Sequence, residues 1–509
     1  MNYSEFLPKS EILFTKSEKK LSKLPWQIKS IAGDASVINS KEFLASPHKW
    51  FNTTLRLNEI CDLEQIKVPG AMVILPWGVK IIEKFAAKVR KEAVENGYNE
   101  YSYPSLIPSS YFDAMSDLMD VKNSVLNVSS QQKKESHDLA LTPTGEYPIY
   151  DHWRTIIKTK NDLPKKIFQR TKYFRPISSA KRSGGSVFLS MEAGDVFEFH
   201  SCFSEVNSAT TEALKLLAMF KKIANDLGTF VLWSLRPTWT NNGYLYRWSY
   251  GGDAILPSKN TVQVSCSYFQ DDIFSRRFNI AYSDNSIKLF THQATGAITK
   301  RLVFANLFQS IRSDRSLCLH PDISPIQVVF LLTVYNSDDE LIFEKIKDDL
   351  VLHGIQSELI RINSKSQFHQ EEKKWYQRGV PLRVLIFGRK NHEKIKATMI
   401  RNDTGEELQF NYEQYEMLIK LAIKDIIASR SINHYQNNIV FCKNISELEN
   451  VLEAKLVAFF PLSMQSQNVY EVEKLYKGEV LGFIAADEMM SCLISGEKVF
   501  TRAFVSRRI

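Results

Sequence analysis

The sequence has no run of about 18 apolar residues, so no segment of it reads as a membrane span. Its opening stretch, "MNYSEFLPKSEILFTKSEKK", lacks the basic-then-apolar order of a secretory signal. The cysteines, Cys61, Cys202, Cys266, Cys318, Cys442 and Cys492, are scattered and form no CxxC pair. That spacing excludes a disulfide framework and a zinc cluster, and it predicts a chain of the reducing cytoplasm with no bound metal. Internal repeats and low-complexity tracts are also missing, which excludes a solenoid or a disordered polymer.

What is present is ordinary for a soluble globular protein: 44% hydrophobic and 24% charged residues. At 509 residues the chain is too long for one core, and two or three domains are expected. A net charge of +8 permits a polyanionic partner without requiring one.

Residues 1–50 are polar and weakly periodic, an extension with one or two short helices. From Gly70 a short apolar strand turns at Pro76 into a long amphipathic helix. Val79, Ile82, Phe85, Val89 and Ala93 fall on one stripe of that helix. "YNEYSYPSLIP" reads as a strand broken by Pro104 and Pro108. "DLALTPTGEYPIYDHWRTII" is a loop leading into a helix, with Glu146 where the helix dipole favours a carboxylate. The stretch from Thr171 to His200, "TKYFRPISSAKRSGGSVFLSMEAGDVFEFH", reads as a β-hairpin whose base and cationic loop suit a triphosphate. Strand-rich sequence runs from Thr229 to about His292, and "ATGAITKRLVFANLFQS" reads as a glycine turn opening a helix. The class is α+β, with antiparallel strands and helices packed on one side. From about Pro325, strands alternate with helices, which predicts a small α/β domain with a largely parallel core. A small α+β appendage follows from about Asn438 to Ile509.

This order of motifs, collinear over roughly residues 50 to 505, resembles a class II aminoacyl-tRNA synthetase. The chain is most similar to prolyl-tRNA synthetases of the archaeal and eukaryotic type. The likeness rests on "FNTTLRLNEICDLEQIKVPGAMVILPWG" at motif 1, "LTPTGEYPIYDHWRTIIKTKNDLPKKIFQ", the FR-hairpin, and Gly–x–x–x–x–Arg at motif 3. "SPIQVV", "GVPLR" and "RNDTGE" resemble the anticodon-binding domain. The resemblance implies an extension (1–50), a catalytic domain (51–322), an anticodon-binding-like domain (323–435) and a C-terminal appendage (436–509).

The family activates an amino acid with ATP and Mg2+ to an adenylate and transfers the acyl group to tRNA. The chemistry is charge neutralisation and positioning. By resemblance Arg175 contacts the α-phosphate and the amino-acid carboxylate, and Arg301 reaches the γ-phosphate. Gly296 and Gln263 join them at the ATP site. Thr144 and Glu146 match the loop that binds the α-amino group, and Asp195 matches an acid of that pocket. Phe197, Cys266 and Tyr268 line it at changed positions. Further departures are Ile177 for the hairpin acid, Leu189 and Ser190 for an arginine–glutamate pair, Ala193 for a tryptophan, and Ile298 for the second motif 3 glycine. Ile298 is expected to crowd the adenine ring. Cys492 is the sole cysteine near the family's zinc-binding tail, so no structural zinc is expected.

Three functions compete on these residues. The first is a prolyl-tRNA-synthetase-like ligase with tRNA as acceptor. The second is an enzyme that adenylates a different amino acid for a non-tRNA acceptor, and the third a non-enzymatic paralogue that binds tRNA or protein. A homodimer, packed through the motif 1 helix and the strand ending at Pro104, is implied by the resemblance.

Overall fold

The computed structural model describes residues 38–508 apart from 39, 65–67, 69, 116–124, 130–138, 178–185, 238–244, 334–336, 388–395, 412–413 and 430–437. The hairpin-loop cations Lys181 and Arg182, and most of the extension, lie outside the described residues.

Pro76 opens α1 (Pro76–Glu95), taking a first-turn position where its missing N–H leaves no bond unmade. Ile82, Phe85, Val89 and Ala93 turn inward with Trp77, Ile81 and Ala86. Val79 does not; it is 45% exposed. The predicted stripe is therefore an intramolecular core face with Val79 outside it.

The catalytic layer is built from β1 (Asn99–Glu100), α2 (Glu146–Ile156), β2 (Lys165–Phe174), β3 (Glu192–Phe203) and α3 (Val206–Asp226), followed by β4 (Val231–Leu235), β5 (Trp248–Ile255), β6 (Thr261–Asp271), β7 (His292–Thr299) and α4 (Arg301–Ser310). In space the strands run β4-β5-β6-β7-β3-β2-β1. Each pair is antiparallel except β1 with β2. The helix α3 covers one face of the sheet with Ala213, Leu216, Phe220 and Ile223, and Ser267 of β6 donates to the Ala213 carbonyl at 2.6 Å. Gly296 is not in a turn, as the sequence suggested. It sits inside β7, paired with Ser267 and Phe199, where a Cβ would meet Phe220 of α3 and the Cys266 carbonyl at 2.9 Å.

The second unit is a five-stranded sheet of β8 (Val328–Leu332), β9 (Ser357–Arg361), β10 (Leu382–Phe387), β11 (Lys396–Arg401) and β12 (Glu407–Asn411). The first three strands are parallel and the last two antiparallel, so the expected parallel core holds for the side of the sheet that runs β9-β8-β10. Its seam with α1 is aromatic and cationic. Arg378 lies between Trp77 and Trp375, 5.2 Å and 5.3 Å from the two rings, and the Trp77 indole donates to the Arg378 carbonyl. Such contacts contribute about 0.5–2 kcal/mol each, depending on how far they exclude water.

The appendage comprises β13 (Ile439–Phe441), β14 (Val457–Pro461), β15 (Glu479–Ser491) and β16 (Lys498–Ser506), with helices between. It does not stand apart as a separate layer. Its strands, in the order β13-β14-β16-β15, continue the catalytic sheet through the pair Phe483–Leu235 to make eleven strands. Gly482, with φ +147°, permits this approach; a Cβ there would meet the Leu235 carbonyl at 2.6 Å. At the other end, the helices Lys41–Ala45 and Pro47–Leu57 pack into the core, with Phe51 stacked on Phe308 at 4.1 Å. A boundary at residue 50 would cut the second of these helices.

Candidate active site

The predicted hairpin forms as β2 and β3, and the site lies on the face of the sheet opposite α3. Arg175 follows β2. Its backbone N–H donates to the Met191 carbonyl at 2.9 Å, closing the hairpin base. Its Nε donates to the Pro143 carbonyl at 2.8 Å, which ties the guanidinium to the loop before α2. Arg301 opens α4, and one of its amines lies 3.4 Å from the Gln263 carbonyl. Burial pulls the Arg301 pKa down to about 10, and Arg175 presses it in the same direction. Two guanidiniums that repel one another therefore share one cleft. Neither has a carboxylate partner among the described residues. Their planar guanidiniums have the donor geometry that suits phosphate.

The other end of the cleft is acidic and densely bonded. Gly145 caps α2, and Glu146 occupies its first turn. The Thr144 hydroxyl donates to Glu146 and lies 3.4 Å from Glu198. The Tyr173 hydroxyl donates to Glu198, and Gln169 donates to Tyr173 at 3.1 Å. His200 Nε2 stands 3.1 Å from Glu198, its Nδ1 is 3.1 Å from the Tyr150 hydroxyl, and Tyr150 donates to Gln270 at 2.6 Å. Burial, and then the charge of Glu198, push the Glu146 carboxyl above its ordinary range. Burial would push Glu198 up too, but the His200 charge and the His200 and Tyr173 hydrogen bonds outweigh it and hold Glu198 low. The buried Glu198 and the half-buried Glu146, within reach of one hydroxyl, offer charges that suit an ammonium.

Asp195 and Phe197 are not in this pocket, and one residue explains why. Thr171 pairs with Val196, but Tyr173 pairs with Ala193, so β3 carries an extra residue here. Asp195 takes φ 53°, a conformation side chains seldom adopt. This bulge reverses the alternation of faces along the strand. Asp195 turns to Arg170 (2.8 Å) and Lys300 (3.3 Å). Phe197 turns into the core, 5.7 Å from the Phe85 ring. Glu198 and His200 take the pocket face instead, and sequence alternation alone missed them.

The remaining predicted residues divide. Cys266 and Tyr268 lie half-buried together beside Arg236, and desolvation raises the Cys266 thiol to about 11, away from the thiolate a nucleophile needs. Tyr268 packs on Tyr246 at 5.1 Å. Gln263 holds Arg301 through its backbone carbonyl, while its side chain reaches back to the Ser265 carbonyl at 3.5 Å. Gly296 serves packing against α3 rather than a nucleotide. Ile298 is fully buried in the main apolar core, paired across the sheet with Phe197, so it does not crowd a purine. Among the described residues no group of three His, Cys, Asp or Glu side chains is placed to hold a metal. Cys492 instead accepts backbone hydrogen bonds from Ser463 and Ser495 at 3.3 Å and 3.5 Å.

This antiparallel sheet, with an arginine-bearing hairpin and a second arginine opening the helix after β7, is similar in fold to solved prolyl-tRNA synthetases. In sequence the chain is similar to proline--tRNA ligases. It is 27% identical over 447 residues to the proline--tRNA ligase of Methanocaldococcus jannaschii, covering 85% of this chain and 96% of that protein. The Methanosarcina mazei proline--tRNA ligase is 26% identical over 472 residues, covering 90% and 96%. The fold matches the Giardia lamblia prolyl-tRNA synthetase solved with prolyl-adenylate, at TM-score 0.81 and 19% identity over 94% of this chain and all of that one. It also matches the Cryptosporidium parvum enzyme solved with halofuginone and AMPPNP, at TM-score 0.80 and 16% identity over 93% and 99%. No family model matches the chain.

Proposed function

We propose that the chain is an ATP-dependent amino-acid-activating ligase of the proline--tRNA ligase type, forming an aminoacyl adenylate and passing the acyl group to tRNA. The observation that carries this reading is the polarity of one cleft, with paired guanidiniums, Arg175 and Arg301, at one end and a carboxylate pair at the other. An amino acid bound by its ammonium at Glu146 and its carboxylate toward Arg175 presents that carboxylate to a triphosphate held at Arg301. Attack on the α-phosphorus then forms the mixed anhydride and releases pyrophosphate, with the arginines neutralising the charge that develops. Magnesium would ride on the triphosphate oxygens, since such ions keep waters and take few protein ligands. The proline--tRNA ligases with which the chain aligns supply tRNA as the acceptor in this reading.

A second reading is favoured by Glu198. A second carboxylate in the amine pocket, with Cys266 and Tyr268 nearby, suits an amino acid other than proline. ATP–pyrophosphate exchange against a panel of amino acids separates the two. Exchange with proline above all others supports the first, exchange with another amino acid the second, and exchange with none overturns both.

The domain division and a homodimer belong to the same proposal. With the inner stripe of α1 committed to the core, the support for a dimer is a set of exposed apolar side chains, Val79 and Val94 on α1 and Tyr101 and Leu106 in the segment after it, each at least 36% exposed. Sedimentation at micromolar concentration tests it. Among the described residues no helix is long and apolar enough to cross a membrane, and cytoplasmic action is part of the reading.

A further inference from the structure

Asp253, on β5, is fully buried and lies between two guanidiniums. Arg236 approaches one carboxylate oxygen at 2.6 Å, and Arg508 approaches the other at 3.3 Å. Arg508 also pairs with Glu479 of β15, and Arg236 donates to the Leu481 carbonyl of the same strand. Space for Arg236 exists because residue 251 is glycine; a Cβ there would collide with the guanidinium. Segment 507–508 meanwhile lies along the start of β6. Thr261 donates its N–H to the Arg507 carbonyl at 3.2 Å, Asn260 donates to the same oxygen at 3.3 Å, and Thr261 bridges to Arg508.

Asp253 stands directly opposite Gln263 in the β5–β6 register, and the Gln263 carbonyl is the group that holds Arg301. We propose that Asp253, clamped between Arg236 and Arg508, is a positioning residue for the nucleotide, and that residues 507–508 of the appendage are thereby part of the ATP site. The inference rests on the proposed activation chemistry. It goes beyond that chemistry by assigning a role to a segment more than 200 residues from Arg301 in sequence. A half-neutralised buried carboxylate is costly, so removing Arg508 should move Asp253 and the strand it anchors rather than leave them in place. Arg508 also adds to the field that depresses Arg301.

The test compares Arg508→Ala, Arg508→Lys and, as a control in the same appendage, Arg502→Ala, which removes a cation that sits over Phe459. Calorimetry reads ATP and amino-acid binding separately, and hydrogen exchange reads the amides of residues 261–263 and 300–302. Arg508→Ala should weaken ATP about tenfold, leave amino-acid affinity unchanged, and speed exchange in both segments. Arg508→Lys should recover part of the loss, and Arg502→Ala should resemble the parent. Unchanged ATP affinity overturns the inference, as does an equal loss for both ligands. If the parent protein binds no ATP, the activation reading and the nucleotide-positioning role fall together; if it binds ATP but exchange at 300–302 is unaltered in Arg508→Ala, the positioning role alone falls.

Discussion

The two ends of the cleft are built on opposite principles. At the end proposed for phosphate, Arg175 and Arg301 each rest, among the described residues, on a single carbonyl oxygen and push against one another. At the amine end, Glu146 and Glu198 are wrapped by Thr144, Tyr173, Gln169, His200, Tyr150 and Gln270. The first end leaves its charge uncompensated until a ligand supplies the balance. The second is organised before any ligand arrives, and a ligand has only to replace a proton. The difference teaches that affinity at one end depends on charge, and at the other on a preset geometry.

The largest effect expected from breaking this contrast is at the unbalanced end. Arg301→Ala, and separately Arg175→Ala, should lower ATP–pyrophosphate exchange about 100- to 1,000-fold, the range for losing one preorganised donor. Calorimetry at millimolar ATP should then show no binding for Arg301→Ala. Persistence of either signal would remove the arginines from the phosphate role.

The preset end should respond less, and unevenly. Glu146→Gln should raise the KM for the amino acid about 10- to 100-fold, as expected for a lost charge-assisted hydrogen bond of about 1.5–3 kcal/mol. Glu198→Gln should instead lower the Glu146 pKa, because it removes the neighbouring negative charge. Steady-state kinetics that gave equal KM increases in both variants would show that the two carboxylates do the same job.

A pH series sharpens the same point. The Glu146 carboxyl is held above its ordinary range, so it keeps its proton to a higher pH than a free carboxyl does, and in that neutral form an ammonium has no charged partner. As pH rises through that raised value the carboxylate forms, and the amino-acid KM should fall until titration is complete. The groups facing it are Glu198, His200, Thr144 and Tyr150, with Arg175 facing the adjoining Tyr147. Glu198→Gln should move the inflection toward lower pH. A KM independent of pH between about 4 and 8, a window spanning ordinary and raised carboxylate values, would contradict the shift.

The smallest effect on binding is expected at Ile298. Its side chain is in the core, so Ile298→Ala should leave ATP affinity within about twofold while costing about 2–5 kcal/mol of stability, read as a lower unfolding midpoint. A marked gain in ATP affinity would restore the view that this residue crowds the purine.

The contrast also explains which parts of the site could be read from the sequence. Arg175 and Arg301 were reached through the family resemblance, and each stands at a junction, a strand end or a helix start. Glu146 was legible for the same reason, next to a glycine N-cap. Asp195 and Phe197 were misplaced because a bulge is one residue long and leaves no periodic trace. Matching by motif carried no account of it, and the residues beyond it turn to the opposite face. His200 and Gln270 were missed because a buried polar side chain on an apolar strand shows its purpose only when its partners are known. Ile298 was misjudged because its direction depends on the β7 register with β3, which no local signal fixes. The motif 1 helix was right in extent, and its stripe right in direction except at Val79.

The strand pairing Phe483–Leu235 has one more consequence. Among its described strands, the catalytic layer ends at β4 on that side. Without β15 alongside, β4 would present open N–H and C=O groups on an apolar, buried-type strand, "VLWSL". Such a border templates pairing with any other exposed strand, including that of another copy. The appendage therefore acts as a selvedge, finishing a border that would otherwise catch on its neighbours. A chain shortened before β15 should be lost to aggregation before any defect in chemistry can be measured.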